Sequence, residues 1–363
     1  MSTPLIALKN AGQSVWLDYI RRDLIETGEL ARMVEKDGLA GLTSNPAIFE
    51  KAIASGLYKD GIREAAARSG DTKTIYEALA IGDIRLAADA IRPVYDSTAG
   101  ADGYVSLEVS PALARDTEGT LAEARRLWAD VGRPNLMIKV PGTPEGVPAI
   151  RELLAEGINV NVTLLFSRSA YEAVAQAHLE ALERRAAAGL AVDRVASVAS
   201  FFVSRIDTAV DAQLVKLGKT ALAGKVAIAN AKLAYVSYQS LVAGARWRAL
   251  AARGARPQRL LWASTGTKNP DYSDVLYIEE LIGPDTVNTV PPATLDAFRD
   301  HGKVRASLLE DTAGAARVLD ELPKAGVNLS AVTDALLEDG VVIFADSFTK
   351  LLAAVDAQRK AAV

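Results

Sequence analysis

The stretch NLMIKVPGTPEGVPAIRELLAEGINVNVTLLFSRSAYEAVAQAHLEALERRAAA, residues 135–188, repeats one pattern twice. A short apolar, β-branched run (136–140, then 159–164) is followed by a long amphipathic segment (145–154, then 168–188). Runs with period two read as strands, and apolar residues recurring every three to four positions read as helices. Strand–helix alternation implies parallel strands, because parallel neighbours need a crossover between them. Working outward, further strands are expected at 14–18, 39–43 and 104–109 on one side, and at 195–201, 260–264 and 286–290 on the other. A helix is expected at 120–131, after the third strand. Eight strand–helix units predict an α/β fold, a (β/α)8 TIM barrel. The competing fold is a doubly wound open sheet, but no Gly-rich phosphate loop follows the first strand.

Three regions exceed simple crossovers and predict additional helices. Residues 46–98 hold about two, with 71–95 strongly periodic; 204–256 is a long Ala-rich helical region. Residues 293–363 read as several helices punctuated by Pro323 and by the run GVVI at 340–343. No Pro/Gly-rich linker or tandem repeat divides the chain, so one barrel domain over residues 1–363 is expected, with helical insertions and a helical C-terminal extension.

Barrel enzymes place their sites at the carboxyl ends of the strands. Those ends are unusually polar here. The first strand ends at Asp18, the second in Thr43, Ser44 and Asn45, the third near Glu108. The fourth carries Lys139, the fifth Asn161 and Thr163, and the sixth leads to Ser200, Phe202 and Arg205. The seventh ends at Ser264 and the eighth carries Asn288. Period-two geometry orients them. Leu136, Ile138 and Val140 form an all-apolar face for the outer helices, so Lys139 points inward. By the same rule Asn161 and Thr163 face away from Val160 and Val162, and Glu108 away from Leu107 and Val109.

Burial disfavours an ammonium group, and a neutral amine is a nucleophile toward carbonyls. A neighbouring carboxylate can relay protons through a water. Lys139 beside Glu108 therefore fits imine-forming aldol chemistry, in which the iminium is the electron sink. Each residue alone has a plainer reading. Lys139 and Glu108 fit a structural ion pair, Asp18 a helix cap, Asn45-Pro46 a turn and helix start, and Arg205 a solvated position. Their convergence on one end of one barrel separates the two readings.

Composition removes other classes. The chain has 363 residues, 50% hydrophobic, with net charge −4 and scattered Lys and Arg, so no nucleic-acid footprint is expected. It has no cysteine, which excludes thiol nucleophiles and thiolate metal sites. Its two histidines, His178 and His301, lie far apart and are expected to be exposed helix residues, so neither a metal site nor a hydrolase triad is expected. The opening MSTPLIALKNAGQSVWLDYI lacks a basic region followed by a long apolar core, and no apolar run reaches membrane-spanning length. A cytoplasmic enzyme without metal or other cofactor is expected, with neither membrane nor nucleic-acid partner; a homodimer stays open.

Four segments carry a family resemblance: GLTSNP at 41–46, MIKVPGT at 137–143, GINVNVTLLFS at 157–167 and SVASFFVSRID at 197–207. With them the chain resembles the transaldolases, among the class I Schiff-base aldolases, from Asp18 to about Thr294. The resemblance implies Lys139 as the Schiff-base lysine, and Glu108 and Thr163 as the pair that positions the catalytic water. It implies Asp18 as the acid/base for the C4 hydroxyl. Thr43, Asn45, Asn161, Ser200, Phe202 and Ser264 are implied as substrate-pocket residues, and Arg205 as a phosphate ligand. The implied substrates are sugar phosphates: sedoheptulose 7-phosphate or fructose 6-phosphate gives dihydroxyacetone to glyceraldehyde 3-phosphate or erythrose 4-phosphate. One departure stands out. Shorter transaldolases read Ser-x-Arg-Asn after strand seven, whereas residues 262–270 here read WASTGTKNP. This looks like the longer group of actinobacteria and plants, and Lys268 is expected as the second phosphate contact.

Overall fold

A computed structural model describes residues 3–361. Eight strands are present: β1 (Gln13–Leu17), β2 (Gly41–Leu42), β3 (Tyr104–Glu108), β4 (Leu136–Pro141), β5 (Val160–Leu165), β6 (Ser197–Phe202), β7 (Arg259–Ala263) and β8 (Thr286–Val290). They pair in chain order, all parallel, and close into a barrel. Closure is by a full-length seam, Gln13 opposite Thr286 through Leu17 opposite Val290, which excludes the open sheet. The fold is the (β/α)8 barrel with added helices.

The apolar strand faces lie where period two predicts. Val105, Leu136, Ile138, Val140, Val160 and Val162 are wholly buried. Outer helices cover them with their own apolar stripes, such as Leu121, Ala124, Leu127 and Val131 of Thr117–Val131, and Ile150, Leu153 and Leu154 of Gly146–Glu156. Asp116 caps the first of these helices and Gly132, at φ 60°, ends it.

Four expectations need correction. β2 is two residues long rather than five; Gly41 in it rides on the Trp16 indole, where a Cβ would lie 2.4 Å from the ring. The chain then turns, and Ser44 sends its hydroxyl to the Ser106 carbonyl. Residues 46–98 hold three helices, Pro46–Ala54, Lys59–Ala66 and Thr72–Ser97, the first two divided near Gly56 at φ 82°. Region 204–256 breaks into Ser204–Lys216, Val226–Ala243 and Ala245–Ala251, with Gly218 and Gly224 at positive φ in the first gap. Finally, the 340–343 run interrupts nothing. It lies inside one continuous helix, Leu329–Ala361, because Gly340 meets the barrel: a Cβ there would come within 2.9 Å of Leu164 Cδ2.

Candidate active site

Strand register sets the core of the site. Glu108 stands opposite Lys139 across β3–β4, and Lys139 opposite Asn161 across β4–β5. Lys139 is 5% exposed. Its Nζ donates to the Ser44 carbonyl at 3.1 Å and lies 3.6 Å from Glu108 Oε2. Both Glu108 carboxylate oxygens and the Thr163 hydroxyl are buried without a hydrogen-bond partner. Burial pushes the Glu108 carboxyl up to about 7, against the downward pull of Lys139. That is the range in which a carboxyl both gives and takes protons near neutrality.

Asp18, just past β1, accepts a 2.7 Å hydrogen bond from Thr43 Oγ1. Thr43 has one hydroxyl proton, so its 2.7 Å contact with Thr289 is donated by Thr289. Asp18 is reached by solvent only in part, and burial raises its pKa although Lys139 and Thr43 pull it down. It caps no helix. Asn45 does: its Oδ1 accepts from the Ile48 amide at 3.1 Å and starts the helix Pro46–Ala54. Its Nδ2 is left for the cavity it lines.

That cavity, about 160 Å³, is lined by Asp18, Thr43, Asn45, Lys139, Thr163, Ser200, Phe202, Arg205, Ser264 and Lys268, with Thr289 and Phe344 among the rest. Ten of the twelve expected site residues therefore line one cavity. The other two, Glu108 and Asn161, stand behind it. Asn161 is wholly buried, donating to Ser106 Oγ at 3.0 Å and accepting from Ser200 Oγ at 2.7 Å, so it fixes the Ser200 hydroxyl. Backbone strain gathers here as well: Leu164, beside a bulge in the β5–β6 pairing, and Ser264 both have positive φ, 61° and 56°.

Arg205, in the first turn of Ser204–Lys216, lies over the Phe202 ring at 5.4 Å. Burial lowers its pKa, yet a guanidinium stays charged. Among the described residues neither Arg205 nor the exposed Lys268 has an ion-pair partner, while most other arginines do. Two unpaired cations on one cavity wall fit an anionic tail. A larger hollow of about 530 Å³ lies among the outer helices, but its buried Lys232 is already held by the Glu310 carbonyl at 3.0 Å.

Three residues were misjudged or missed. Thr289, not Asn288, faces the cavity; Asn288 is wholly buried and accepts from Thr265 Oγ1. Phe344, from the helix Leu329–Ala361, places its ring 5.8 Å from Lys139 Nζ. Nothing in the local sequence marked it. His178 is not exposed: it is 1% accessible, its ring stacks on Trp247 at 6.0 Å, and burial pushes its pKa down to about 4. The 171, 174, 175, 178, 182 spacing of buried residues in its helix held that signal. His301 is half-exposed beside Asp274 and Asp300, as expected. Among the described residues no cluster of His, Cys, Asp and Glu could hold a metal ion, and no helix is long and apolar enough to cross a membrane.

Barrel and site together define an enzyme of the (β/α)8 class whose cavity, at the carboxyl ends of the strands, holds a buried lysine between two carboxylates. The family described as Transaldolase/Fructose-6-phosphate aldolase matches residues 15–355. The chain is 49% identical over 370 residues to a transaldolase of Trichodesmium erythraeum, covering 98% of this chain and 97% of the relative. It is 51% identical to transaldolases of Acidothermus cellulolyticus (98% of this chain, 96% of the relative) and Thermobifida fusca (97% of each). The chain belongs to the transaldolase/fructose-6-phosphate aldolase family, and actinobacterial proteins are among its relatives, as the text after strand seven suggested.

Proposed function

We propose that the protein is a transaldolase of the non-oxidative pentose phosphate pathway, acting in the cytoplasm through one barrel domain. It takes a dihydroxyacetone unit from sedoheptulose 7-phosphate or fructose 6-phosphate and delivers it to glyceraldehyde 3-phosphate or erythrose 4-phosphate. The observation that carries this reading is Lys139, buried 3.6 Å from Glu108 in a cavity that also holds Asp18 and two unpaired cations.

In this reading the Lys139 amine adds to the C2 carbonyl of the donor, and the carbinolamine loses water to leave an iminium. Glu108 supplies the proton that lets the hydroxyl depart and takes it back on hydrolysis. The unpartnered oxygens of Glu108 and Thr163 are suited to hold the water involved. Asp18 accepts the C4 hydroxyl proton as the C3–C4 bond breaks, and the electron pair enters the iminium to give an enamine. Asn45 Nδ2 and the Ser200 hydroxyl, fixed by Asn161, orient the dihydroxyacetone hydroxyls. Arg205 holds the phosphate, and Lys268 adds a point charge.

The test is borohydride reduction in the presence of fructose 6-phosphate, followed by peptide mass spectrometry. A dihydroxyacetone-derived mass on Lys139 is expected. Saturated, folded protein without that adduct would refute the imine. The rival within the family is an aldolase that releases free dihydroxyacetone; the transferase gains turnover when an acceptor aldehyde is added, and the aldolase gains little.

A further inference from the structure

The groups that meet Lys139 Nζ are polar, the Ser44 carbonyl and the Glu108 carboxylate, and the Thr163 hydroxyl lines the same cavity. Each can order a water. An aromatic ring reaches the amine as well: Phe344 is 9% exposed and its ring centre lies 5.8 Å from Nζ. It comes from an element outside the barrel's strand–helix repeat, the helix Leu329–Ala361. This helix lies against the helices Pro46–Ala54, Thr72–Ser97 and Ser204–Lys216, and against β5. Its seat is specific. Gly340 sits on Leu164, where a Cβ would come within 2.9 Å of Cδ2 and push that side chain aside, and Leu164 is held at φ 61° beside the β5 bulge. One turn on, on the same face, stands Phe344; a further turn on, Phe348 packs edge-on against Tyr76 at 5.6 Å. Leu351 and Val355 then anchor the helix with no exposure at all. The glycine seat and the apolar anchors fix how close the Phe344 ring comes to the amine.

From this we infer that Phe344 is a partition-determining residue: its ring shields the Lys139 enamine from water, and so favours transfer to an acceptor over release of dihydroxyacetone. The inference rests on the imine chemistry proposed above. Release requires the enamine carbon to take a proton and a water to add at C2 of the resulting iminium. The C–N bond then breaks, the carbonyl of dihydroxyacetone re-forms, and Lys139 regains its amine. Every atom consumed comes from one water. A ring beside the nitrogen offers no strong hydrogen bond to hold that water near the enamine. Hydrolysis of an iminium ends both routes, so the ring tells on the step that release alone needs, delivery of a proton from water to the enamine carbon, and leaves that carbon free to react with an acceptor aldehyde.

The experiment compares full-length wild type with Phe344→Ala, Phe344→Leu and Phe344→Trp. Dihydroxyacetone release from fructose 6-phosphate alone is measured beside sedoheptulose 7-phosphate formation when erythrose 4-phosphate is added. The release-to-transfer ratio is expected to rise about tenfold in Phe344→Ala and to return toward wild type in Phe344→Trp, the size of effect that loss of one buried aromatic contact supports. Phe344→Leu keeps most of the apolar volume and folds if the alanine variant does not; it loses the ring and is expected to raise the ratio about threefold or more. A folded Phe344→Leu or Phe344→Ala variant whose release and transfer fall together, with the ratio unchanged, overturns the inference, because loss of structure alone lowers both. The borohydride adduct on wild-type Lys139 is run in parallel; its absence refutes the imine reading itself, whatever the ratio does.

Discussion

Arg205 and Lys268 should contribute unequally to phosphate recognition, and the inequality follows from their surroundings. Arg205 is half-buried over Phe202 with no carboxylate partner, so a phosphate would be its first counter-charge, in a partly desolvated place. A charge-assisted contact of that kind is worth about 2–3 kcal/mol. Removing it in Arg205→Ala should lower kcat/KM for phosphorylated substrates about 30- to 150-fold, at about 1.4 kcal/mol per tenfold. Lys268 lines the same wall but is exposed. Exposed charge pairs are worth about 0.2–1 kcal/mol, so Lys268→Ala should raise KM only about 1.4- to fivefold. The Lys268 effect should also shrink as salt is raised, because solvent screens it, while most of the Arg205 effect should persist. The assay is kcat/KM for both variants with fructose 6-phosphate and erythrose 4-phosphate, then with unphosphorylated glyceraldehyde as acceptor, at low and high ionic strength. An unchanged KM for phosphorylated substrates in Lys268→Ala removes Lys268 from the site. Equal losses with phosphorylated and unphosphorylated acceptors would refute the phosphate role of whichever residue showed them.

Glu108 should report itself in the pH profile: with its carboxyl near 7, turnover should show a limb close to neutrality. Glu108→Gln should lose that limb and about 10²-fold in kcat; a variant that keeps the limb assigns it to another group. His178 should make the fold acid-sensitive. Its pKa drops from 6.5 to about 4 on folding, so below pH 6.5 the unfolded chain binds a proton that the folded chain refuses. Its contribution is thus complete above pH 6.5 and is lost progressively as pH falls toward 4. From pH 7 to pH 5 the loss should be about 2 kcal/mol by urea unfolding, and His178→Phe, which keeps a ring against Trp247, should flatten it; equal slopes in the two proteins would exclude His178 as the cause.

How much of this was legible in the sequence depends on the range of the interaction that decided each feature. Period two along 136–140 and 159–163 turned Lys139, Asn161 and Thr163 inward because that alternation is local, and the register confirms it. Glu108 followed from the same rule one strand earlier. The length of β2 was not legible, because the chain leaves the ladder where Ser44 bonds the Ser106 carbonyl, sixty-two positions away. Gly340 read as a breaker because an isolated helix is weakened there; contact with Leu164 overrides that preference. Phe344 had no signal at all, since no local pattern brings position 344 over position 139. His178 was a different kind of miss: its helical spacing was visible, but the charged residues after it drew the reading toward solvent. The lack of partners at Arg205 and Lys268 is also a three-dimensional fact, because a sequence does not say which of its carboxylates reach a given cation.

Asp18 and Glu108 lie close enough to Lys139 to feel its charge, burial raises the pKa of both acids, and the proposed reaction makes use of that. Before the C–C bond breaks, Asp18 is an anion and the imine nitrogen carries a positive charge. As Asp18 takes the C4 hydroxyl proton, the electron pair of the broken bond flows into the iminium. Anion and cation then disappear together, leaving a neutral acid and a neutral enamine. In water that exchange would forfeit the solvation of two ions. In a poorly solvated cavity the ions are already costly, and the neutral pair is correspondingly favoured. Burial therefore acts on Asp18 in the direction the bond cleavage needs, while Thr43 and Lys139 keep its carboxylate available at the outset. A site with the same residues but freely wetted would hold Asp18 ionised more firmly and the enamine less securely. On this argument, opening the cavity to water by removing Phe344 should slow cleavage as well as hasten release, and the release-to-transfer ratio separates the second effect from the first.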